Sequence, residues 1–182
     1  MGLSEPLVYV LRIGHRPARD RRLTTHVALA ARALGASGFI LAGECDASPL
    51  RSLLKVEKLW GRGLDLIACG LGWRDYVDLW KRMGWLVVHL TMYGLPLLDV
   101  VEELRRARRP ILAVVGSEKV PQELFELADY NVSVTSQPHS EVSALALFLD
   151  AIYNRAELEY RTLEGARLIV QPSARGKKVT ST

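Results

Sequence analysis

The chain has 182 residues, of which 49% are hydrophobic and 24% are charged, a balance typical of one globular domain with a sizeable core. No apolar run approaches the roughly 18–20 residues that a membrane-spanning helix needs, and no charged-then-apolar signal segment opens the chain. We therefore expect a cytoplasmic protein with no membrane partner.

Positive charge is concentrated in two segments of the chain. The net charge of +4 and the isoelectric point near 9.2 permit a polyanionic partner without requiring one. Around the single acid Asp20, the first segment contains Arg12, His15, Arg16, Arg19, Arg21 and Arg22; the second contains Arg175, Lys177 and Lys178. Because the planar guanidinium group suits phosphates, we favour contact with a nucleic-acid backbone. Two solvated loops are the alternative.

Hydrophobic periodicity predicts strands that alternate with helices along most of the chain. Strands are predicted at residues 7–13, 39–42, 64–68, 86–90, 111–115 and 130–134. Helices are predicted from Thr24 or Thr25 to Leu34, at 48–60, 74–83, 97–108 and 121–127, and from a cap at Ser140 to about Glu157. Gly35 is expected to close the first helix in a left-handed conformation. This alternation predicts a parallel sheet with helices on both faces.

The pattern changes at Gly165. Residues 167–171 (RLIVQ) and 177–181 (KKVTS) read as short strands, and a Pro-Ser-Ala-Arg-Gly turn joins them. We therefore expect a sheet domain over residues 1–164 and a β-hairpin extension over residues 165–182.

Two polar turns follow neighbouring strands between residues 111 and 147. The apolar run 111–115 ends at Gly116, where the chain must bend sharply or a ligand must approach its backbone. The next strand ends in the polar segment Thr135-Ser136-Gln137-Pro138-His139-Ser140. Open parallel sheets bind ligands at the carboxyl ends of adjacent strands, so we predict the ligand site here.

The two cysteines, Cys45 and Cys69, are far apart and fit no paired spacing. We expect small buried thiols rather than a zinc site or a disulfide.

Several sequence words resemble a known family. Gly116-Ser117-Glu118 after an apolar strand, followed by Ala128-Asp129 before the next strand, is similar to the second signature motif of the SPOUT methyltransferases. The longer words are LRIGHRP (11–17), TTHVALAARALGA (24–36), HLTMYG (89–94), GSEKVP (116–121) and QPHSEV (137–142). Together they resemble the archaeal tRNA 2′-O-ribose methyltransferases that act on cytidine 56 of the T-loop.

The resemblance implies an α/β SPOUT fold with a deep trefoil knot at about residues 111–150, a homodimer, a tRNA substrate and S-adenosylmethionine as cofactor. It places the cofactor among three loops, at residues 90–95, 116–120 and 134–141, and it implies no metal. The cofactor-binding residues it implies are Leu90, Gly116, Ser117, Glu118, Lys119, Val120, Val134, Thr135, Ser136, Gln137, Pro138, His139, Ser140 and Glu141. Glu118 is equally well explained as a favourable charge at the start of the next helix.

The resemblance also implies a catalytic arginine. The position usual in ribose methyltransferases of the superfamily falls on Leu29, and Glu141 stands roughly where an asparagine is expected. An arginine just before the first helix serves instead in the cytidine-56 family, which points to Arg22. Since a guanidinium is a poor base, we expect Arg22 to hold a phosphate and polarise the 2′-hydroxyl.

Other residues are weaker candidates for the chemistry. His15, Arg19 and Arg32 are the reserve candidates, with Arg32 expected to be a surface or dimer contact. His89 and His139 are expected to be structural more often than basic catalysts. Two alternative functions stay open at this stage: the same chemistry on another RNA nucleotide, and a non-catalytic module that binds RNA or a nucleotide.

Overall fold

The computed structural model describes residues 6–116 and 120–181, and six parallel strands form its central sheet. These are β1 (Val8–Arg12), β2 (Gly38–Leu41), β3 (Leu66–Cys69), β4 (Leu86–Pro96), β5 (Ile111–Val115) and β6 (Tyr130–Ser133). Their order in the sheet is β3-β2-β1-β5-β4-β6, and every neighbouring pair is parallel. The predicted parallel sheet is confirmed.

Six helices cover the two faces of this sheet. They are α1 (Arg21–Ala33), α2 (Ala47–Trp60), α3 (Trp73–Arg82), α4 (Leu97–Ala107), α5 (Gln122–Leu127) and α6 (Glu141–Tyr153). One apolar core joins alternate strand residues to α1, α2, α4 and α6. The other joins the opposite strand face to α3 and α5. Because both faces are buried, β5 is a continuous apolar run and is buried along its whole length.

The strand order reverses beside β1. From β1 the chain proceeds outward through β2 to β3, whereas β5 lies on the other side of β1 and separates it from β4. Arg12 at the end of β1 lies opposite Val115 at the end of β5. A crevice at the carboxyl ends of such strands is where open α/β sheets bind ligands.

The strand β4 is longer than predicted. It continues through residues 91–94 to Pro96, and its register with β6 shifts because both Leu90 and Leu95 lie opposite Val132. The intervening residues therefore bulge out at the carboxyl edge of the sheet. The prediction of a strand that ends at residue 90 was therefore wrong.

The first and last helices also differ from their predicted bounds. Helix α1 begins at Arg21 rather than at Thr24 or Thr25, because Thr24 is buried inside the helix, where its hydroxyl contacts His15. Helix α6 ends at Tyr153, since Asn154 adopts a left-handed conformation at φ 51°. The cap at Ser140 is confirmed by its side chain, which accepts from the amide of Ser143, and Gly35 has the expected positive φ of 82°.

Cys45 and Cys69 form a disulfide, with their Cα atoms 5.4 Å apart. The prediction of two small buried thiols was wrong, and Cys45 is in fact exposed. Cys69 ends β3 and pairs with Leu41 at the end of β2. The chain leaving β2 therefore returns past the end of β3 within four residues, which sequence spacing alone does not reveal.

The last part of the chain contains a short antiparallel pair. Strands β7 (Leu168–Val170) and β8 (Val179–Ser181) pair with each other and with no strand of the main sheet. β8 is exposed along its whole length. Within residues 6–116 and 120–181, no helix is long and apolar enough to span a membrane.

Candidate active site

A cavity of about 680 Å³ opens at the carboxyl ends of β4 and β5. Three segments surround it: the bulge that follows residue 90, the start of the β5–α5 loop, and the approach to α6. The lining residues are His89, Leu90, Thr91, Met92, Tyr93, Val115, Gly116, Val120, Phe125, Pro138, His139, Glu141 and Ala144. A second cavity, of about 500 Å³, lies among the carboxyl ends of α1 and α2 and residues 157–163. That one is remote from the carboxyl edge of the sheet.

The inner wall of the first cavity is apolar except for one histidine. His89 is fully buried on β4, and its ring meets that of Phe125 edge-on with centroids 4.7 Å apart. Asn131 donates its amide hydrogen to the carbonyl of Phe125, so its Oδ1 must accept from Nδ1 of His89, 2.8 Å away. Burial lowers the pKa of His89, and the hydrogen bond to Asn131 opposes this only in part. The ring is therefore neutral at pH 7.

Two glycines at the cavity edge are required by close packing. A Cβ on Gly116 would lie 2.4 Å from Cγ2 of Val120, and a Cβ on Gly94 would lie 2.4 Å from the backbone carbon of Asn131. At Gly116 the neighbour is the side chain of Val120, which precedes α5. At Gly94 the neighbour is the backbone of β6, against which the bulge of β4 packs.

An ion pair lies under the rim of the cavity. Nη1 of Arg12 donates to Oε1 of Glu141 at 3.3 Å, and the Arg12 side chain is fully buried whereas that of Glu141 is 24% exposed. Burial lowers the pKa of Arg12, and the nearby carboxylates of Glu141 and Asp20 partly restore it. Nε and Nη2 of Arg12 have no hydrogen-bond partner among the described residues. This pair connects the end of β1 to the first turn of α6.

The basic β1–α1 loop is held from within by two carboxylates. Asp20 accepts from the backbone and the side chain of Arg16, and these bonds lower its pKa. Asp46 lies 3.2 Å from Nε2 of His15 and 3.0 Å from Nε of Arg21. The loop is therefore an organised structure that presents its remaining cationic groups to solvent.

The candidate arginines occupy different environments. Arg22 is exposed in the first turn of α1, and Arg19 is exposed just before it. Arg32 is buried, with its Nε 2.6 Å from Glu57 and its Nη2 2.5 Å from the carbonyl of Gly61. The expectation that Arg32 makes a surface or dimer contact was wrong, because the last turn of α1, which carries Arg32, packs against the end of α2.

The residues predicted to bind a cofactor fall into three groups. Those that line the cavity are Leu90, Gly116, Val120, Pro138, His139 and Glu141. A second group belongs to the third loop, residues 134–141, but does not line the cavity: Val134, Thr135, Ser136, Gln137 and Ser140. Ser117, Glu118 and Lys119 lie outside the described residues.

Sequence reasoning missed several residues of the site. Phe125 and Ala144 face the cavity from α5 and α6, and helical spacing alone does not distinguish a cavity position from a core position. Arg12 was grouped with the exposed basic loop, yet it is fully buried. The strand period was a usable signal: Val8, Val10 and Arg12 are spaced two residues apart on β1, so the Arg12 side chain lies on the same buried face of the sheet as the two valines.

The cavity suits an adenosine-containing cofactor. Leu90, Val115, Val120 and Phe125 provide an apolar wall, and the small residues Gly116 and Ala144 permit close approach of an aromatic base. Apart from His89 on the inner wall, the polar groups lie at the rim. Among the described residues, no cluster of three or more His, Cys, Asp and Glu side chains could hold a metal ion.

Comparison with solved structures identifies the fold. The chain superimposes on an S-adenosylmethionine-bound rRNA methyltransferase from Sinorhizobium meliloti with a TM-score of 0.60 and 21% identity, covering 86% of this chain and 59% of that one. It thus spans about 60% of that structure. At this identity the likeness establishes the fold alone, an α/β fold shared with rRNA and SpoU methyltransferases of known structure.

Comparison of sequences gives the family. A family model described as tRNA ribose 2′-O-methyltransferase, aTrm56, matches residues 60–180. A tRNA (cytidine(56)-2′-O)-methyltransferase of Hyperthermus butylicus is 56% identical over 174 residues, covering 96% of this chain and 92% of the relative. The corresponding protein of Methanopyrus kandleri is 52% identical over 175 residues, covering 96% and 97%. The chain belongs to the archaeal tRNA ribose 2′-O-methyltransferase family.

Proposed function

We propose that this protein transfers a methyl group from S-adenosylmethionine to the ribose 2′-oxygen of cytidine 56 in tRNA. The observation that carries the proposal is the match to relatives of that activity over nearly the whole chain. The cavity beside the basic loop is consistent with it, because a cofactor site and a phosphate-binding surface must adjoin in an RNA methyltransferase.

The chain's own part in the reaction is binding and orientation. When bound, S-adenosylmethionine supplies an already activated methyl group on its sulfonium. The apolar wall of the cavity excludes water from one side of the cofactor, and the rim residues fix its orientation. The three predicted loops, including Ser117, Glu118 and Lys119, remain our proposal for the groups that hold it.

Arg22 is our proposed catalytic arginine. It is exposed at the start of α1, on the same segment as Arg16, Arg19 and Arg21. Its guanidinium would hold a phosphate of the tRNA and polarise the 2′-hydroxyl, since it cannot itself accept a proton at neutral pH.

A trefoil knot at residues 111–150 is part of the proposal. The strand order supports it, because β5 is inserted between β1 and β4 and the chain then crosses β4 to form β6 at the edge. We also propose that residues 1–164 form the methyltransferase domain and that residues 165–182 extend it. The exposed β7–β8 pair and its basic residues would adjoin the RNA or a second subunit.

A homodimer is supported by exposed apolar side chains beside the cavity. Tyr93, Leu95 and Leu98 at the junction of β4 and α4 are 79%, 59% and 82% exposed. Leu147 on the adjacent α6 is 52% exposed. Exposed apolar groups of this size near one another mark association surfaces, and a partner subunit would cover them. Sedimentation of the wild type and of Leu98→Asp tests this, with a dimer expected for the first and a monomer for the second.

The proposed substrate implies a cytoplasmic enzyme. A disulfide is uncommon in that compartment, although intracellular proteins of hyperthermophiles are an exception.

The deciding experiment uses purified protein, an unmodified tRNA transcript and methyl-labelled S-adenosylmethionine. Because a 2′-O-methyl group blocks alkaline cleavage at its own linkage, we expect an alkali-resistant gap at cytidine 56. A matched transcript with a single deoxycytidine at that position should accept no label. Label at another nucleotide would support ribose methylation but contradict cytidine 56 as the target. Cofactor binding without methyl transfer would contradict the proposed enzymatic activity.

A further inference from the structure

The proton of the ribose 2′-hydroxyl needs an acceptor, and Arg22 cannot serve. Among the described residues that line the cavity, three have an imidazole or carboxylate side chain, the groups that most often serve as general bases: His89, His139 and Glu141. Their surroundings separate them, because a general base must be both held in place and accessible to the substrate.

His89 is held but enclosed. It is fully buried on β4, its Nδ1 is engaged by Asn131, and Phe125 packs against its ring. Its Nε2 is buried and has no hydrogen-bond partner among the described residues, so a ribose hydroxyl would have to reach the inner wall of the cavity to meet it.

His139 is accessible but weakly held. Its side chain is exposed, and its Nδ1 lies 3.2 Å from the carbonyl oxygen of the next residue, Ser140. It belongs to a polar loop with no regular secondary structure. Such a ring retains much of its rotational freedom.

Glu141 is both held and accessible. It is the first residue of α6, and its Oε1 is anchored at 3.3 Å by the fully buried guanidinium of Arg12. Its side chain is 24% exposed, and Oε2 has no hydrogen bond in the described parts of the chain. One oxygen is thus fixed to the scaffold while the other is left for a substrate.

The anchor of Glu141 also connects the cavity to the basic loop. Asp20 lies close enough to Arg12 to stabilise its charge, and Asp20 binds Arg16 of that loop. The scaffold of the cavity is thus linked to the loop that we expect to contact tRNA phosphates. Of the three candidate bases, Glu141 alone is tied to it.

We propose that Oε2 of Glu141 accepts the 2′-hydroxyl proton in the methyl transfer proposed above, on which this inference rests. As the 2′-oxygen forms its bond to the methyl carbon, the bond from that carbon to sulfur breaks and the hydroxyl proton moves to Oε2. A cationic donor and a carboxylate thereby become a neutral thioether and a carboxylic acid, so charge and atoms balance. Arg12 is then a positioning residue for Glu141.

The test compares Glu141→Gln with wild type. Glutamine retains an oxygen that can accept from Arg12 but is not a proton acceptor of comparable strength. We expect the single-turnover rate of transfer, at saturating cofactor and tRNA, to fall by about 100-fold or more. Since Glu141 also belongs to a proposed cofactor-binding loop, calorimetric affinity for S-adenosylhomocysteine should fall by much less than the rate, by under about tenfold, and gel-shift affinity for tRNA should stay within about threefold of wild type.

Two further variants keep the result interpretable. Glu123→Gln removes a first-turn carboxylate of α5 that pairs with Arg74 and does not line the cavity, so it should retain the wild-type rate. Glu141→Asp retains the charge but retracts the carboxylate, and it should lose at least about tenfold in rate. That variant also decides the matter if the loss of charge beside buried Arg12 prevents folding of Glu141→Gln.

Other outcomes would overturn the assignment. A rate within threefold of wild type in Glu141→Gln or in a folded Glu141→Asp rejects Glu141 as the acceptor, and a large loss in His139→Ala alone transfers the role there. A loss of cofactor affinity with an unchanged rate at saturation makes Glu141 a cofactor-binding residue only. If the wild type itself transfers no methyl group, the proposed function fails, and the role of Glu141 fails with it.

Discussion

Oδ2 of Asp46 lies 3.2 Å from Nε2 of His15 and so ties the β1–α1 loop to the start of α2. The other oxygen of the same carboxylate caps α2 by accepting from the amide of Ser48. Arg21 reaches Asp46 as well, and the His15 ring contacts Thr24 on its other side. One buried carboxylate therefore positions the segment that we expect to meet tRNA.

The first prediction concerns the charge of Asp46. Its pKa is lowered to about 2, mainly by the amide of Ser48 and further by Arg21 and His15, against the opposing effect of burial. A lowered folded pKa contributes stability above the unfolded value near 3.9, and this contribution is lost as pH falls toward 2. Asp46→Asn retains a good helix cap, so it isolates the charge.

We expect Asp46→Asn to lower the free energy of unfolding at pH 6 by on the order of 1–2 kcal/mol. The difference from wild type should shrink between about pH 4 and pH 2. Denaturant titrations at several pH values measure it, and exposed Asp99→Asn on α4 is the matched control. A constant difference across this range would show that the charge is not what stabilises the cap.

The second prediction concerns the disulfide between Cys45 and Cys69. It closes a segment of 24 residues, for which chain-entropy arguments give about 3 kcal/mol. The double variant Cys45→Ser/Cys69→Ser should therefore unfold at lower denaturant concentration. Because Cys45 immediately precedes Asp46, we also expect weaker tRNA binding with unchanged cofactor affinity. Equal tRNA affinity in wild type and variant would show that the disulfide does not help to position the basic loop for tRNA binding.

Sequence reasoning recovered the sheet because burial on both faces leaves a plain apolar signature. It failed where distant segments meet. Nothing in the spacing of Cys45 and Cys69 shows that β2 and β3 end side by side. The inward turn of Arg12 and the pairing of Arg32 with Glu57 depend on which helices cover which face, and that information lies in the strand order. The cavity was located because polar turns at the carboxyl ends of parallel strands meet at one edge of the sheet, although β5 and β6 are not adjacent as predicted but are separated by β4. The choice between Glu141 and His139 required the buried partner of Glu141.

The third prediction concerns His89. Since burial lowers its pKa in the folded protein, the unfolded chain binds the proton preferentially below about pH 6.5. Stability should therefore fall with decreasing pH in that range, with a limiting slope near 1.4 kcal/mol per pH unit for one group. His89→Gln does not titrate, so its stability should decline less between pH 7.5 and pH 5.5. Parallel curves for the two proteins would contradict a neutral buried His89.

The fourth prediction concerns the buried pair of Arg32 and Glu57. The Arg32 side chain is 9% exposed and that of Glu57 is 13% exposed, and Glu57 also accepts from the amide of Gly63. Removing one partner leaves a buried charge without compensation, which typically costs 3–5 kcal/mol. Arg32→Ala should therefore strongly destabilise the protein in thermal and denaturant unfolding, whereas exposed Arg106→Ala should change its stability by less than about 0.5 kcal/mol. A small effect of Arg32→Ala would mean that water compensates Glu57.

The last prediction separates catalysis from binding at Arg22. Its side chain is exposed, so Arg22→Ala should leave the unfolding midpoint almost unchanged. If its guanidinium polarises the 2′-hydroxyl, the single-turnover rate at saturating tRNA should fall by about 100-fold, and Arg22→Lys should restore only part of it because an ammonium lacks the planar fork. If Arg22 only contacts a phosphate, the saturated rate stays near that of wild type. The affinity for tRNA then weakens, and its logarithm depends less steeply on the logarithm of salt concentration, by a slope of about 1. Arg106→Ala on α4 is the control for both possible roles of Arg22. It removes one positive charge outside the basic loop that we expect to contact tRNA.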